Sequence, residues 1–391
     1  MEVSFQSFFM GGFECATHRR RDGMQVDVLA QTGHAEKAAE DYRLLQAAGV
    51  RTVRDGLRWH LVEATPGIYD WSSFLPMLDA SIATGTQVIW DLCHWGVPEG
   101  LDVFSEEFVI RFAAFSGAVA AIVRERTGVR NSPVPFYCPI NEISFWSWVG
   151  GDVKAFAPHR EGEGAALKRQ LVRASLAAMD AVRAVEPRAR FVQAEPIINI
   201  ELSPDSAFDS PEMIDQVKQH VAGQYEAWDM LRGDRNEELG GTPESLDILG
   251  VNYYWNNQWM HEGERTPPGH DQHRPLHIML RDLWQRYRRP IVITETGAES
   301  EAGVGWLGYI AAEVRQAQRD GVEVLGVCIY PVMDYPGWDD DRHCSCGLIA
   351  VDDAWRARTL RESLVEEMRL QGQVTTMLAG KQSIDPLLAA R

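Results

Sequence analysis

The chain lacks any run of about 18 apolar residues of the kind a membrane-spanning helix requires. Basic residues are in deficit, 38 lysines and arginines against 56 aspartates and glutamates, for a formal charge of −18. Nucleic acid and anionic membrane surfaces both demand a basic footprint, so neither is expected as a partner. Cysteines and histidines do not fall at CxxC or HExxH zinc spacing. Gly11-Gly12-Phe13 is not a phosphate-binding turn, and no segment repeats at a period of about 20–50 residues. The six cysteines are scattered, with only Cys344 and Cys346 close together, which reads as reduced buried thiols rather than a disulfide framework. An apolar start runs into His18-Arg19-Arg20-Arg21, the reverse of a signal peptide's charge order. These absences lead to the expectation of a cytoplasmic protein without metal or cofactor. A homo-oligomer is allowed.

What is present is a regular alternation. With 45% hydrophobic and 24% charged residues, the composition is that of an ordinary globular protein. Apolar runs at 8–14, 52–58, 87–94, 134–142, 190–195, 246–254, 290–295 and 323–330 read as strands. Between them lie helical patterns at 35–48, 72–84, 105–126, 164–185, 211–231, 274–288 and 304–320, and a closing one at 355–370. Val/Ile-rich runs joined by helical crossovers indicate a parallel sheet covered on both faces. Eight such units without a composition break close most simply as a single-domain (β/α)8 TIM barrel over residues 1–370. Residues 371–391 lack clear periodicity and are expected as a loosely packed or frayed tail. A doubly wound open sheet is the other architecture, and it would bring the phosphate turn that is missing here.

In such a barrel, chemistry sits at the C-terminal strand ends. Those ends are polar and aromatic: Arg54, Arg58-Trp59-His60, Asp91-Leu92-Cys93-His94-Trp95, Asn141-Glu142, Glu195, Asn252-Tyr253-Tyr254-Trp255, Glu295, and Asp334 to Trp338. Each has a bland reading alone: a structural hydrogen bond, a core ring, a solvated acid. Together on one rim they cost stability and call for a site. Glu142 and Glu295, delivered by the fourth and seventh strands, supply the two carboxyls that glycosidic cleavage needs.

These segments resemble retaining family 1 glycoside hydrolases, the β-glucosidase-like enzymes. The likeness is carried by Val53-Arg54 with Trp59, His94 with Pro98, Asn141-Glu142, Leu249-Gly250-Val251-Asn252-Tyr253-Tyr254, Ile293-Thr294-Glu295-Thr296-Gly297 and Gly347-Leu348. The resemblance implies Glu142 as acid/base and Glu295 as nucleophile, with carboxyls about 5–5.5 Å apart. It implies Asn141 on the sugar 2-hydroxyl, Arg54 and Tyr254 holding Glu295, His94 on sugar hydroxyls and Trp338 as a stacking face. Asn252 and Glu195 join as supporting residues, Glu195 in a supporting or leaving-group position. The chain departs from the family at His18, where a glutamine is usual, and at Gly337, where a glutamate precedes the strand-eight tryptophan. It departs again at Thr296 and Ile143. The first two changes touch sugar recognition rather than chemistry.

The implied activity is hydrolysis of a terminal sugar from a small β-glycoside or oligosaccharide, β-glucosidase- or β-galactosidase-like. Alternatives are a transglycosidase using the same glutamates and a catalytically silent carbohydrate-binding barrel. A metal-dependent hydrolase would need a His/Asp cluster that the strand ends do not show. The loop from Asp339 to Cys346 holds metal-ligand types without a known spacing, and its Arg342 and His343 could meet a phosphorylated sugar.

Overall fold

The structure is a computed structural model that describes residues 5–128, 133–202 and 210–382. Eight parallel strands close into a barrel: β1 (Phe9–Gly12), β2 (Thr52–Gly56), β3 (Gln87–Asp91), β4 (Phe136–Cys138), β5 (Arg190–Pro196), β6 (Ile248–Asn252), β7 (Ile291–Thr296) and β8 (Val324–Ile329). Neighbours around the ring follow chain order, with β8 pairing back onto β1. The single-domain (β/α)8 barrel expected from the alternation is the fold observed.

Side-chain parity divides the interior in two. Met10, Ile89, Phe136, Val192, Ile248, Val292 and Cys328, from seven different strands, form one apolar plug in the lumen. Val53, Trp90, Leu249, Val251, Ile291 and Ile293 point the other way, into the larger core beneath the helices. Above the plug the lumen turns polar, beginning with Arg54 and Asp91. Gly12 is required there, because a Cβ would lie 2.2 Å from the Tyr330 ring.

Helices His34–Ala48, Glu106–Thr127, Gly164–Val185, Leu276–Tyr287 and Ala302–Arg319 stand close to their expected bounds. Three elements differ. The expected 211–231 helix is two, Pro211–Gly223 and Glu226–Arg232. An additional helix, Ile143–Gly151, follows Glu142 directly. Residues expected to open the closing helix instead form the hairpin Ile349–Val351 with Arg358–Leu360, and the helix runs Glu362–Gln382. It carries on past residue 370, where a tail was expected to start, and Gln371 bonds Arg315 and Glu367. The rest of the expected tail, 383–391, lies outside the described residues.

Candidate active site

Arg54 organises the polar end of the lumen. Its Nε and Nη2 donate to the two Asp91 carboxylate oxygens at 2.9 and 2.7 Å. Nη2 also reaches Asn141 Oδ1, and Nη1 reaches Glu295 Oε1, both at 2.6 Å. Burial works against the charge on Arg54, but Asp91 and Glu295 hold its pKa well above the ordinary value. Asp91 is likewise held low by Arg54 and His94 against the cost of burial.

The β7 register slips where it matters. Val251 lies opposite Ile293, yet Asn252 lies opposite Glu295. Strict alternation would send Glu295 outward with Ile293; the irregularity returns it to the lumen. There Tyr254 donates to its second oxygen at 2.9 Å. Glu295 is thus a carboxylate gripped by a guanidinium and a phenol.

Glu142 arrives from a loop pinned at both sides: the Asn141 amide donates to Cys93 O and the Glu142 amide to Ala194 O. Its backbone is left-handed, φ 46°, strain that a non-glycine residue adopts only when its surroundings impose it. The side chain accepts one hydrogen bond, from Asn252 Nδ2 at 2.9 Å. Burial and then the field of Glu295 drive its pKa well above the carboxylate range, only partly opposed by Asn252 and Arg54. A protonated carboxyl therefore sits within the field of a gripped carboxylate, the division of labour that acid and nucleophile require.

The orientation of Asn141 fixes that of His94. Because Oδ1 receives Arg54, the Asn141 amide nitrogen faces His94 Nε2, at 2.9 Å. Nε2 then accepts, and Nδ1 carries its hydrogen toward Asp91, 3.1 Å away. His94 is thus built into the network, and Asn141 keeps one amide hydrogen free for a ligand. Cys15 Sγ lies 3.2 Å from His94 Nδ1, so Cys15, Asp91 and His94 offer three metal-ligand atom types close together. Both Asp91 oxygens are committed to Arg54, and a metal ion there would face a guanidinium, so the donor set does not fit one.

The remaining expected residues are distributed more widely. Glu195 has the outward parity of β5 and accepts the Ser144 amide at 3.0 Å beneath the Ile143–Gly151 helix; burial pushes it up to about 7. It supports the Glu142 loop from below. His18 is fully buried, its ring stacked 3.7 Å from Phe156 and edge-on to Trp95 and Trp338, and among the described residues neither nitrogen has a partner. Trp338 is half-buried with its indole nitrogen unpartnered. Trp59, part of the motif around Arg54, is a core residue packed on Phe112 and Phe115.

Three other rim groups turn out to be occupied. Asp334 pairs with Arg361 and accepts the Cys346 and Gly347 amides, which makes it a loop anchor. Arg342 is clamped by Glu299 through two bonds, and His343 stacks on Trp355. A phosphate would have to displace those partners. Glu14, just past β1, was not singled out by the sequence; it is 5% exposed and lies 3.9 Å from His94 Nε2. Its only sequence signal is a carboxylate closing an apolar run, the signal that found Glu142 and Glu295.

No protein-family model matches the chain. β-Glucosidase 1B of Phanerodontia chrysosporium is 24% identical over 427 aligned residues, covering 88% of this chain and 76% of that protein. A family 1 β-glucosidase from Thermotoga maritima superimposes with a TM-score of 0.70 at 18% identity, over 87% of this chain and 86% of its own. A hyperthermophilic β-glucosidase mutant that forms a dodecamer in its crystal gives 0.73 at 17% identity, over 94% and 100%. The resemblance to family 1 β-glucosidases read from the strand ends is borne out, as that of a divergent chain.

Proposed function

We propose that this protein, a barrel similar to β-glucosidases in sequence and fold, is a retaining β-glycosidase. It would remove a terminal sugar from a small β-glycoside or oligosaccharide. Glu295 attacks the anomeric carbon while Glu142 gives its proton to the leaving oxygen, so one C–O bond forms as the other breaks. Once Glu295 is esterified its charge is gone, the field raising the Glu142 pKa falls away, and Glu142 can take a proton from water. Water then releases the sugar with its configuration retained. Asn141, through its free amide hydrogen, would contact the sugar next to the reacting carbon, and Trp338 would cover a ring face.

The observation that carries this reading is the contrast between the two carboxyls. Glu142 has one amide donor and a strongly raised pKa, while Glu295 is held by Arg54 and Tyr254. A silent binding barrel would have no use for that asymmetry. Cytoplasmic location and activity on galactosides belong to the same proposal.

A screen of aryl β-glycosides (glucose, galactose, mannose, fucose, xylose and 6-phospho-glucose) tests it directly. A 2-deoxy-2-fluoro glycoside of the best sugar should inactivate the enzyme and label Glu295. NMR should show the β-anomer as first product. A label elsewhere, or the α-anomer first, overturns the mechanism. Product analysis with an added alcohol separates hydrolysis from transglycosylation.

A further inference from the structure

Buried carboxylates in this protein generally meet a cation. Asp91 and Glu295 share Arg54, Asp229 meets Arg286 and Asp334 meets Arg361. Glu14 does not. It accepts the Ala16 amide at 2.9 Å, and among the described residues its only ion-pair neighbour is His94, 3.9 Å away. That His94 nitrogen already receives the Asn141 amide, so it has no hydrogen to offer. A carboxyl kept this dry with one backbone donor is an expensive arrangement unless something else completes it. Burial pushes Glu14 up to about 7, opposed by His94 and reinforced by the charge of Glu295.

Its position indicates what completes it. β1 lies between β8 and β2 in the ring, so Glu14 stands on the rim that Glu295 shares, within reach of the fields of Glu295 and Arg54. Four residues further on, His18 brings two unpartnered nitrogens into the same wall. The wall after β8 leaves the Tyr330 hydroxyl and the Trp338 indole nitrogen unpartnered, but among the described residues no buried carboxylate there lacks a cation. At Gly337 even a Cβ would come within 2.5 Å of Asp340 Oδ1, and the nearby Asp334 and Glu299 are committed to Arg361 and Arg342. Beside Glu142, the poorly matched carboxyl of the cleft is therefore the one in the loop after β1.

We propose that Glu14 is a specificity-determining residue that accepts hydrogen bonds from ring hydroxyls of the bound sugar. The group it selects is an uncharged, hydroxyl-rich glycosyl unit. Glu295 and Asp91 already share the single guanidinium of Arg54, a balance that disfavours phosphorylated or carboxylated sugars. This deepens the glycosidase reading and rests on it for the identity of the cleft.

The test combines binding with turnover. Methyl β-glycosides of the neutral sugars, and monodeoxy analogues of the best one, are titrated into wild type and Glu14→Ala by tryptophan fluorescence; the matching aryl glycosides are assayed. The parent sugar should bind Glu14→Ala roughly 10- to 100-fold more weakly. For one or two deoxy analogues that penalty should vanish, because the hydroxyl and its acceptor have been removed together. Glu14→Gln, which keeps an acceptor and the shape, should fall between and covers the case in which the alanine variant does not fold. An equal penalty across every analogue, no penalty, or no sugar binding to wild type overturns the assignment. Sugar binding without turnover overturns the glycosidase reading and leaves Glu14 assigned.

Discussion

Arg54 and Asp55 are consecutive residues of one strand, and the pleat sends them to opposite faces of the barrel wall. Both are buried, 1% and 0% exposed, and both centre a charged network. Arg54 faces the lumen and the two glutamates. Asp55 faces the helices, where it accepts from Tyr42 at 2.6 Å and pairs with His34 at 2.9 Å. His34 also meets Asp41 at 2.8 Å, and Asp41 receives Arg358 from the C-terminal hairpin at 2.6 Å. The outer network is closed, its imidazole and carboxylates all partnered, and it ties the hairpin to β2. The inner one is open, with both His18 nitrogens orphaned, Glu14 poorly matched and Glu142 on a single donor. Buried charge alone does not distinguish a site from a brace. Incomplete satisfaction does.

The largest expected effect sets the two networks against each other. Glu295→Gln should lower turnover on the order of 10⁴- to 10⁶-fold, as loss of a nucleophile does, with little change in the thermal midpoint, since Arg54 keeps Asp91. Asp55→Asn should do the reverse. It breaks a buried pair and should cost about 3–5 kcal/mol in chemical denaturation while leaving turnover per folded molecule intact. If Glu295→Gln unfolds as readily as Asp55→Asn, the inner network is a brace too.

A smaller effect sharpens the inner half. Glu142→Gln should reduce turnover about 10²- to 10⁴-fold for poor leaving groups and much less for activated aryl groups, which need no proton. In wild type, activity should fall as pH rises through the raised Glu142 pKa, because the acid is lost. That alkaline limb should disappear from the variant's profile when both proteins are assayed on the same poor-leaving-group substrate under single-turnover conditions.

The difference between the networks also marks what could be read from sequence. Eight strand–helix units and the lumen-facing Arg54, Asn141, Asn252 and Glu295 follow from apolar runs ending in polar residues, a local signal. Helix Ile143–Gly151 escaped because its Ile-Ser-Phe-Trp-Ser-Trp-Val-Gly-Gly run has no polar stripe, being buried over much of its surface. The hairpin at Arg358–Leu360 escaped because its anchor, Asp41, is 317 residues away. Glu195 and Asp334 stand at strand ends as Glu142 does; only the register of β5 and the distant Arg361 turn them to support. Glu14 escaped for the opposite reason, since what sets it apart is a partner it lacks.

The smallest expected effect reads both networks in one titration, through two buried histidines. His34 is pulled down by burial but raised by Asp55 and Asp41 to about 9. Its folded pKa exceeds the ordinary 6.5, so its stabilisation is complete below that value and lost as pH rises through about 9, on the order of 3 kcal/mol. His18 moves the other way, lowered to about 3 by burial, then by His94 and Arg20. Below pH 6.5 the unfolded chain binds a proton that folded His18 refuses, so stability falls toward acid. Denaturant midpoints should therefore lose, in His34→Asn, the decline that wild type shows as pH rises from the ordinary 6.5 to about 9. They should lose part of their acid decline in His18→Phe. An alkaline slope that survives in His34→Asn would place that proton elsewhere and remove the outer network from the comparison.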